Sequence, residues 1–396
     1  MNTTKKIMIS VALAAGIVGL GGTTGTAVAA SPVASPTLAS YSPPTKNDDS
    51  GNGTNDDKGD HNTNRTNQRN GGTAESNNSA TSRHNRTDTK ANGPGSDAFS
   101  DVDGKHNRTR TKAEGKDSAA GNAVQGDDNK TRAKATHGGA AGNLVDGDNN
   151  KSRARADGKG SVALNEVAGD DNTARAKSKN GGIAGNLVKG DNNDARARAN
   201  GKNGKAGNTV TGNDNNATAR GDNGIATTET TGNNNDTHAS ATDTAGGKNP
   251  DAGATAISEG DNNRTNAKAE GKDSEATSHS KDGGSTDSLA RHGGKANAVA
   301  AGAGSESKAM ADGVGSVAEA AGLNGGHATA SARDGGHAQA VATLPNSSAT
   351  AVAIGSGATA TAKVTATENT AKTTCGGKGD FAIATTSAGA SDVCFS

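Results

Sequence analysis

The chain has 396 residues, of which only 29% are apolar and 1% aromatic, and its 42 Lys and Arg are balanced by 42 Asp and Glu. With no Trp, three Phe and 58 Gly, it lacks the bulky side chains that fill a conventional enzyme core. Two classes remain: a disordered chain, or a thin repeat fold cored by small side chains.

Residues 1–30 read as an export signal. Lys5 and Lys6 supply the positive start, Ile7 to Gly21 the short apolar run, and Ala27-Val28-Ala29 the small-residue cleavage site. The apolar run is shorter than the roughly 20 residues that span a bilayer. The expectation is a secreted protein, extracellular or held at the cell surface, with no stable membrane insertion. Residues 31–100 are rich in Ser, Pro, Thr, Asn, Asp and Gly, and Lys46 to Asn92 contains no Leu, Ile, Val or aromatic residue. Such a stretch buries too little apolar area to offset its ordering entropy, so it is expected to be a disordered polar linker.

Residues 101–294 are periodic, regularly so to about residue 222. A Gly followed by Asp- and Asn-rich residues recurs at Gly104, Gly126, Gly147, Gly169, Gly190, Gly212 and Gly232, at spacings of 22, 21, 22, 21, 22 and 20. A further anchor, Gly260, follows a gap of 28. After each early anchor, cations alternate with small residues: Arg110 and Lys112, Arg132 and Lys134, Arg153 and Arg155, Arg175 and Lys177, Arg196 and Arg198. Alternation with period 2 marks a half-buried strand, Ala inward and cation outward. The second half of each unit ends in GNAV, GNLV, LNEV, GNLV or GNTV. This sets Asn122, Asn143, Asn165, Asn186 and Asn208 four residues before the next anchor, with Val124, Val145, Val167, Val188 and Val210 two before it. Val favours strands, and Gly-Asp-Asn clusters favour turns. The predicted fold is all-β: a β-solenoid or β-roll with two short strands per coil of about 21–22 residues, whose aligned Asn side chains can form hydrogen-bonded ladders inside or beside the arcs. Residues 295–374, rich in Ala, Gly, Ser and Thr, read as a plainer continuation, with Ala-rich strands near Ala309, Ala318, Ala328 and Ala338. Cys375 and Cys394 are the only cysteines. In an exported protein they predict a disulfide, making residues 375–396 a stapled C-terminal cap.

The two-strand unit with GN-x-V and a Gly-Asn turn resembles curli-type amyloid subunit repeats, without their regular Gln and with many more cations. GSVAEAAG (315–322) and SATAVAIGSGATATA (348–362) resemble head repeats of trimeric autotransporter adhesins, which form β-rolls. The ending with Cys375, Cys394 and Phe395 resembles small Ala/Gly-rich secreted proteins of actinobacteria. These resemblances imply a secreted β-roll repeat protein and carry no specific activity.

No nucleophile elbow, phosphate loop or zinc-protease motif is present, and the nine His are scattered. The expected function is non-catalytic, with no small-molecule substrate. Asp127, Asp148, Asp170 and Asp191 follow their anchors and would form a column for calcium, the one cofactor the sequence suggests, although turn-forming Asp explains them as well. GGKGD (376–380) resembles a calcium-binding repeat but sets its Asp one residue early. The sharper expectation concerns the Arg and Lys pairs. Stacked on one face, they would form columns for a linear polyanion of the cell wall or matrix. The bland reading is a solvated, salt-neutralised face. Two alternatives stand beside it: a disordered, hydrated envelope spacer, and an ice-binding face around Thr359-Ala360-Thr361 and Thr365-Ala366-Thr367. Self-association is compatible with all of these.

Overall fold

A computed structural model describes most of the chain from Thr54 to Phe395. Residues 1–53, the stretches 58–62, 69–72, 79–85 and 244–251, and short pieces of the arcs lie outside the described residues. The described residues contain no helix, and their 30 strands form one continuous sheet. The chain winds as a parallel β-solenoid with two strands per coil, as the period-2 pattern predicts.

One stack holds the Ala-and-cation strands, including Arg86–Asn92, Arg108–Glu114, Lys130–Thr136, Lys151–Asp157 and Thr173–Lys179. The other holds the Asn-and-Val strands, including Asp97–Asp103, Ala119–Gln125, Ala140–Asp146, Val162–Ala168 and Ile183–Lys189. Strands Asp194–Thr211 and Asn216–Thr231 run through both stacks. Pairing is in register, so each residue lies over its counterpart one coil away. Arg153 pairs with Arg132 and Arg175, and Ala154 with Ala133 and Ala176.

Burial alternates along the cation-stack strands from Arg86–Asn92 to Thr173–Lys179. In Lys151–Asp157 the inward Ser152, Ala154 and Ala156 are buried while Lys151 and Arg153 are exposed. The core is therefore columns of Ala, with one column of valines from Val102 to Val210. Parallel to that runs the amide ladder. The Nδ2 of Asn122 donates to Asn143 Oδ1 (2.7 Å), Asn143 to Asn165 (2.7 Å), Asn165 to Asn186 (2.8 Å) and Asn186 to Asn208 (2.7 Å). The asparagines sit within the strands, pointing into the coil, and Ser152 and Thr111 hydroxyls also donate into the ladder. It stops at Asn208, whose counterpart is Thr228 and whose Nδ2 has no partner among the described residues.

The anchor glycines are required twice over. Gly147 has φ +124°, and its N–H donates to Ala168 O one coil on (3.1 Å). A Cβ on Gly147 would lie 2.3 Å from the carbonyl oxygen of Gly126 below it. The third arc residue is left-handed, as at Asn149 and Asn192 (φ 53° and 55°). The fourth, where described, turns inward: Asn107 and Asn263 are buried and donate to the carbonyls of Gly104 (3.1 Å) and Gly260 (3.0 Å).

The second arc explains the spacing of 22 and 21. It holds four residues in Gly115–Ser118 and Gly158–Ser161, closed by the Ser N–H onto the Gly carbonyl (3.4 and 3.2 Å). It holds three in His137–Gly139 and Asn180–Gly182, where His137 and Asn180 are left-handed. With seven-residue strands on either side, coil length follows arc type. The coil of 20 leaves two residues, Asn223 and Gly224, between the halves of strand Asn216–Thr231. The coil of 28 carries extra residues between strands Asp236–Thr242 and Gly253–Glu259, and the register resumes beyond them, Thr242 over Glu270.

The solenoid is longer at both ends than the sequence pattern indicates. Strands Thr54–Asp57, Thr63–Gln68, Thr73–Asn78, Arg86–Asn92 and Asp97–Asp103 join the stacks, so the described residues from Thr54 onward, expected to be linker as far as residue 100, include strands of the solenoid. Threonine and serine take inward positions there, as at Thr87, Thr89 and Ser100, and a search for apolar alternation passes over them. Past residue 222, strands continue through Glu306–Asp312, Val317–Gly322, His327–Arg333 and His337–Ala342, where the Ala-rich repeats predict them. GGKGD (376–380) contains one more four-residue arc, Gly377–Asp380, closed by the Asp380 N–H onto the Gly377 carbonyl (3.2 Å). Its buried Asp380 takes the Ser position and accepts hydrogen bonds from Ala358 N (3.0 Å) and Gly376 N (3.2 Å). Strand Ser391–Phe395 then pairs antiparallel with Phe381–Thr386 and ends that stack. Cys375 closes strand Ala371–Cys375 and Cys394 lies in the terminal strand. Their side chains, and with them the predicted disulfide, lie outside the described residues.

Two stability outcomes follow, each read by urea unfolding followed by circular dichroism. Gly147→Ala should cost at least about 2 kcal/mol through strain and clash. Gly160→Ala, left-handed at φ +69° but with open space around it, should cost about 1 kcal/mol. Asn165→Ala removes the acceptor of Asn143 and the donor to Asn186 and should cost about 2–3 kcal/mol; Asn208→Thr, at the unpaired ladder end, should cost less than half of that. Equal costs within either pair would contradict the stacking account.

Candidate functional site

Outward positions of the cation stack form parallel columns. One runs Arg110, Arg132, Arg153, Arg175, Arg196 and a second Lys112, Lys134, Arg155, Lys177, Arg198. All ten predicted cations therefore fall on one face in two unbroken columns. Neighbours in a column are about 4.8 Å apart and the two columns about 6.7 Å apart. Sequence reasoning missed the flanking cations Arg86, Lys90, Arg108, Lys130, Lys151 and Arg220. Arg86, Arg108, Lys130 and Lys151 form a third column, while Lys90 and Arg220 extend the second at its two ends. The signal for them was present in the same alternation, two residues earlier in the unit or one coil further along. From strand Arg86–Asn92 to the first half of Asn216–Thr231 the face is about 29 Å long. It is bounded by Asp88 beneath Arg110, and by Thr218, His238, Asn266 and Asp287 beyond Arg196.

Acidic partners sit at the flanks. Arg155 pairs with Asp157 (3.0 Å), Arg196 with Asp194 (3.0 Å), and Arg198 and Arg220 share Asp222 (3.1 and 3.0 Å). Lys112 pairs with Glu114. Burial pushes the Asp222 carboxyl up, but the hydrogen bonds from Arg220 and Arg198 outweigh it and hold it below its ordinary range. Among the described residues, Arg110, Arg132, Arg153 and Arg175 have no ion-pair partner. Burial, and then the charges of Arg153, Arg110 and Arg108, lower the pKa of Arg132. Burial, Arg198, Lys179 and Arg155 do the same for Lys177. Among the described residues, the middle of the first column is thus an arginine array without ion-pair partners, while Arg155 of the second column is paired.

The calcium candidates Asp127, Asp148, Asp170 and Asp191 lie outside the described residues, and no group of three or more His, Cys, Asp or Glu positioned for a metal occurs among the described ones. Thr359 and Thr361 point outward from one strand, but their stacked neighbours are His337 and Phe381, and Gln339 and Ile383. No threonine column forms there. The opposite face carries carboxyls in less favourable surroundings. Burial and the charge of Asp103 push Asp101 up to about 6, against a backbone hydrogen bond from Val102.

Comparison of the chain with protein-family models, curated proteins and solved structures finds no match. What fold and face define is a class: a β-solenoid repeat protein with in-register cation columns on one face.

Asp101 gives a pH test. A folded pKa near 6, above the ordinary value of 3.8, means that the folded state holds the proton more tightly. Stability then falls as pH rises from about 4 through 6. Asp101→Asn should raise the melting temperature at pH 8 and leave it nearly unchanged at pH 3.5; an equal shift at both would remove burial of the charge as the cause.

Proposed function

We propose that the protein is a secreted, non-catalytic surface or matrix protein that holds linear polyanions along its cation face. The observation that carries this reading is the column Arg110, Arg132, Arg153 and Arg175, stacked in register and without an ion-pair partner among the described residues. Like charges about 5 Å apart repel by about 0.8 kcal/mol per neighbour in water. An anionic polymer laid along the column relieves every one of those repulsions together. Guanidinium forks suit phosphate, sulfate and carboxylate oxygens alike. The cation strands carry no aromatic residue, so bases or sugar rings have nothing to stack on and recognition is of charge spacing. The export signal in residues 1–30 supports a site of action outside the cell, where a disulfide between Cys375 and Cys394 would persist.

The test is titration of fluorescent polyphosphate and of dextran sulfate by anisotropy across a salt series. Arg132→Gln, Arg153→Gln and Arg175→Gln together should weaken binding by more than about tenfold at low salt and flatten the salt dependence. Lys363→Gln with Lys372→Gln, far from the face, should leave it unchanged. Equal losses in both variants, or none in the first, would refute the reading.

A further inference from the structure

The cation face is not equally wide along its length. In three successive coils, strands Arg108–Glu114, Lys130–Thr136 and Lys151–Asp157 add a third exposed cation, Arg108, Lys130 or Lys151, to the two columns beside it. Beyond them the third column passes to Thr173 and Asp194. Before them Asp88 interrupts the middle column. Nine cations therefore stand in a block three columns wide and three coils long. The column of Arg132 is the middle one, and the outer two are about 13 Å apart, four residues along a strand. Among the described residues, Arg108, Lys130 and Lys151 have no ion-pair partner. The paired members of the block are Lys112 with Glu114 and Arg155 with Asp157.

Charge density and width decide what fits such a block. Three cations per step of about 4.8 Å amount to one per about 1.6 Å of solenoid axis. Subtracting Glu114 and Asp157 leaves one net charge per about 2.1 Å. A B-form duplex carries one negative charge per about 1.7 Å of its axis, and a single nucleic-acid strand one per about 3.4 Å. A single-file polymer lies along the middle column and leaves the outer columns uncompensated. A duplex presents two backbones across a minor groove about 6 Å wide, so each backbone lies over one outer column. The three strands carry no aromatic residue. Unpaired bases have nothing to stack on there, whereas a duplex keeps its bases stacked within itself.

We propose that this block is a docking face for double-stranded nucleic acid, held by its phosphates across one minor groove and without regard to sequence. The inference rests on the polyanion reading and narrows it from single-file polymers to a two-stranded one. The third column is what makes the difference: it adds nothing to a polymer on the middle column and holds one of the two backbones of a duplex.

The experiment is anisotropy of a fluorescent mixed-sequence DNA duplex, run beside fluorescent polyphosphate across one salt series. Arg108→Gln, Lys130→Gln and Lys151→Gln together remove the third column and leave the middle one whole. Duplex binding should weaken by more than about tenfold at low salt, and the slope of log affinity against log salt should fall by about 2 to 3. Polyphosphate binding should change by less than about twofold. Should that variant lose its β spectrum, Thr173→Lys lengthens the third column by one coil and tests it in the other direction. Duplex binding should then tighten by more than about twofold with polyphosphate unchanged. Equal effects on both ligands, or a duplex insensitive to the folded variants, overturn the inference and leave the polyanion reading standing. So does a parent chain that binds polyphosphate and not the duplex. A parent chain that binds neither overturns both.

Discussion

Parallel strands in register place every residue about 4.8 Å above a near-copy of itself. That self-stacking governs the rest of the molecule. Each position becomes a column, and a column holds only residues that tolerate their own kind at that distance. Asparagine qualifies because its amide carries a donor and an acceptor, so each side chain satisfies the next, as from Asn122 to Asn208. Glycine qualifies where backbones meet, as at Gly147, whose place for a Cβ is taken by the carbonyl of Gly126. Alanine and valine qualify because they fill a thin interior without crowding it.

The same constraint accounts for how a composition so poor in large apolar residues folds. A single coil gains little from burying methyl groups, set against the entropy of ordering about 21 residues. Stability has to come from neighbours, through backbone pairing and side-chain ladders repeated coil after coil. Such a fold tolerates changes in its arcs better than changes in its columns. The coil between Gly232 and Gly260 holds extra residues, yet Asp236–Thr242 and Gly253–Glu259 pair in register with strands on both sides.

Much of this was legible in the sequence because the stacking writes itself as periodicity. The anchor glycines, the inward alanines, the Asn and Val columns and the ten paired cations all occupy the positions that their spacing implies. The early strands were harder to read. Thr87, Thr89 and Ser100 are buried, and a hydroxyl facing into a thin polar core resembles a linker residue when only apolar alternation is sought. The alternation of coil length was visible as numbers, but its cause lay in two arc forms, Gly-x-x-Ser and x-Gly-Gly, that differ by one residue.

Charged columns are the one kind that cannot satisfy itself, and their placement is informative. The coils that stack Arg110 to Arg196 are the coils whose far wall carries the ladder from Asn122 to Asn208. Each like-charge neighbour costs up to about 0.8 kcal/mol in water, and each amide hydrogen bond returns about 1 kcal/mol net. The two terms are of one order, so the ladder offsets a substantial part of the repulsion within the same coil. Beyond Gly212 both features fade together. The arginine column passes to Thr218 and His238, and the ladder position passes to Thr228, which donates to His238 O (3.0 Å), then Ala256, then Ser278, paired with Ser288 (2.6 Å). The first arginine column and the ladder end in the same coil, while the second cation column runs one coil further, to Arg220. That shared end of the first column and the ladder is what a scaffold would show when one stretch of it holds a column of like charges in place.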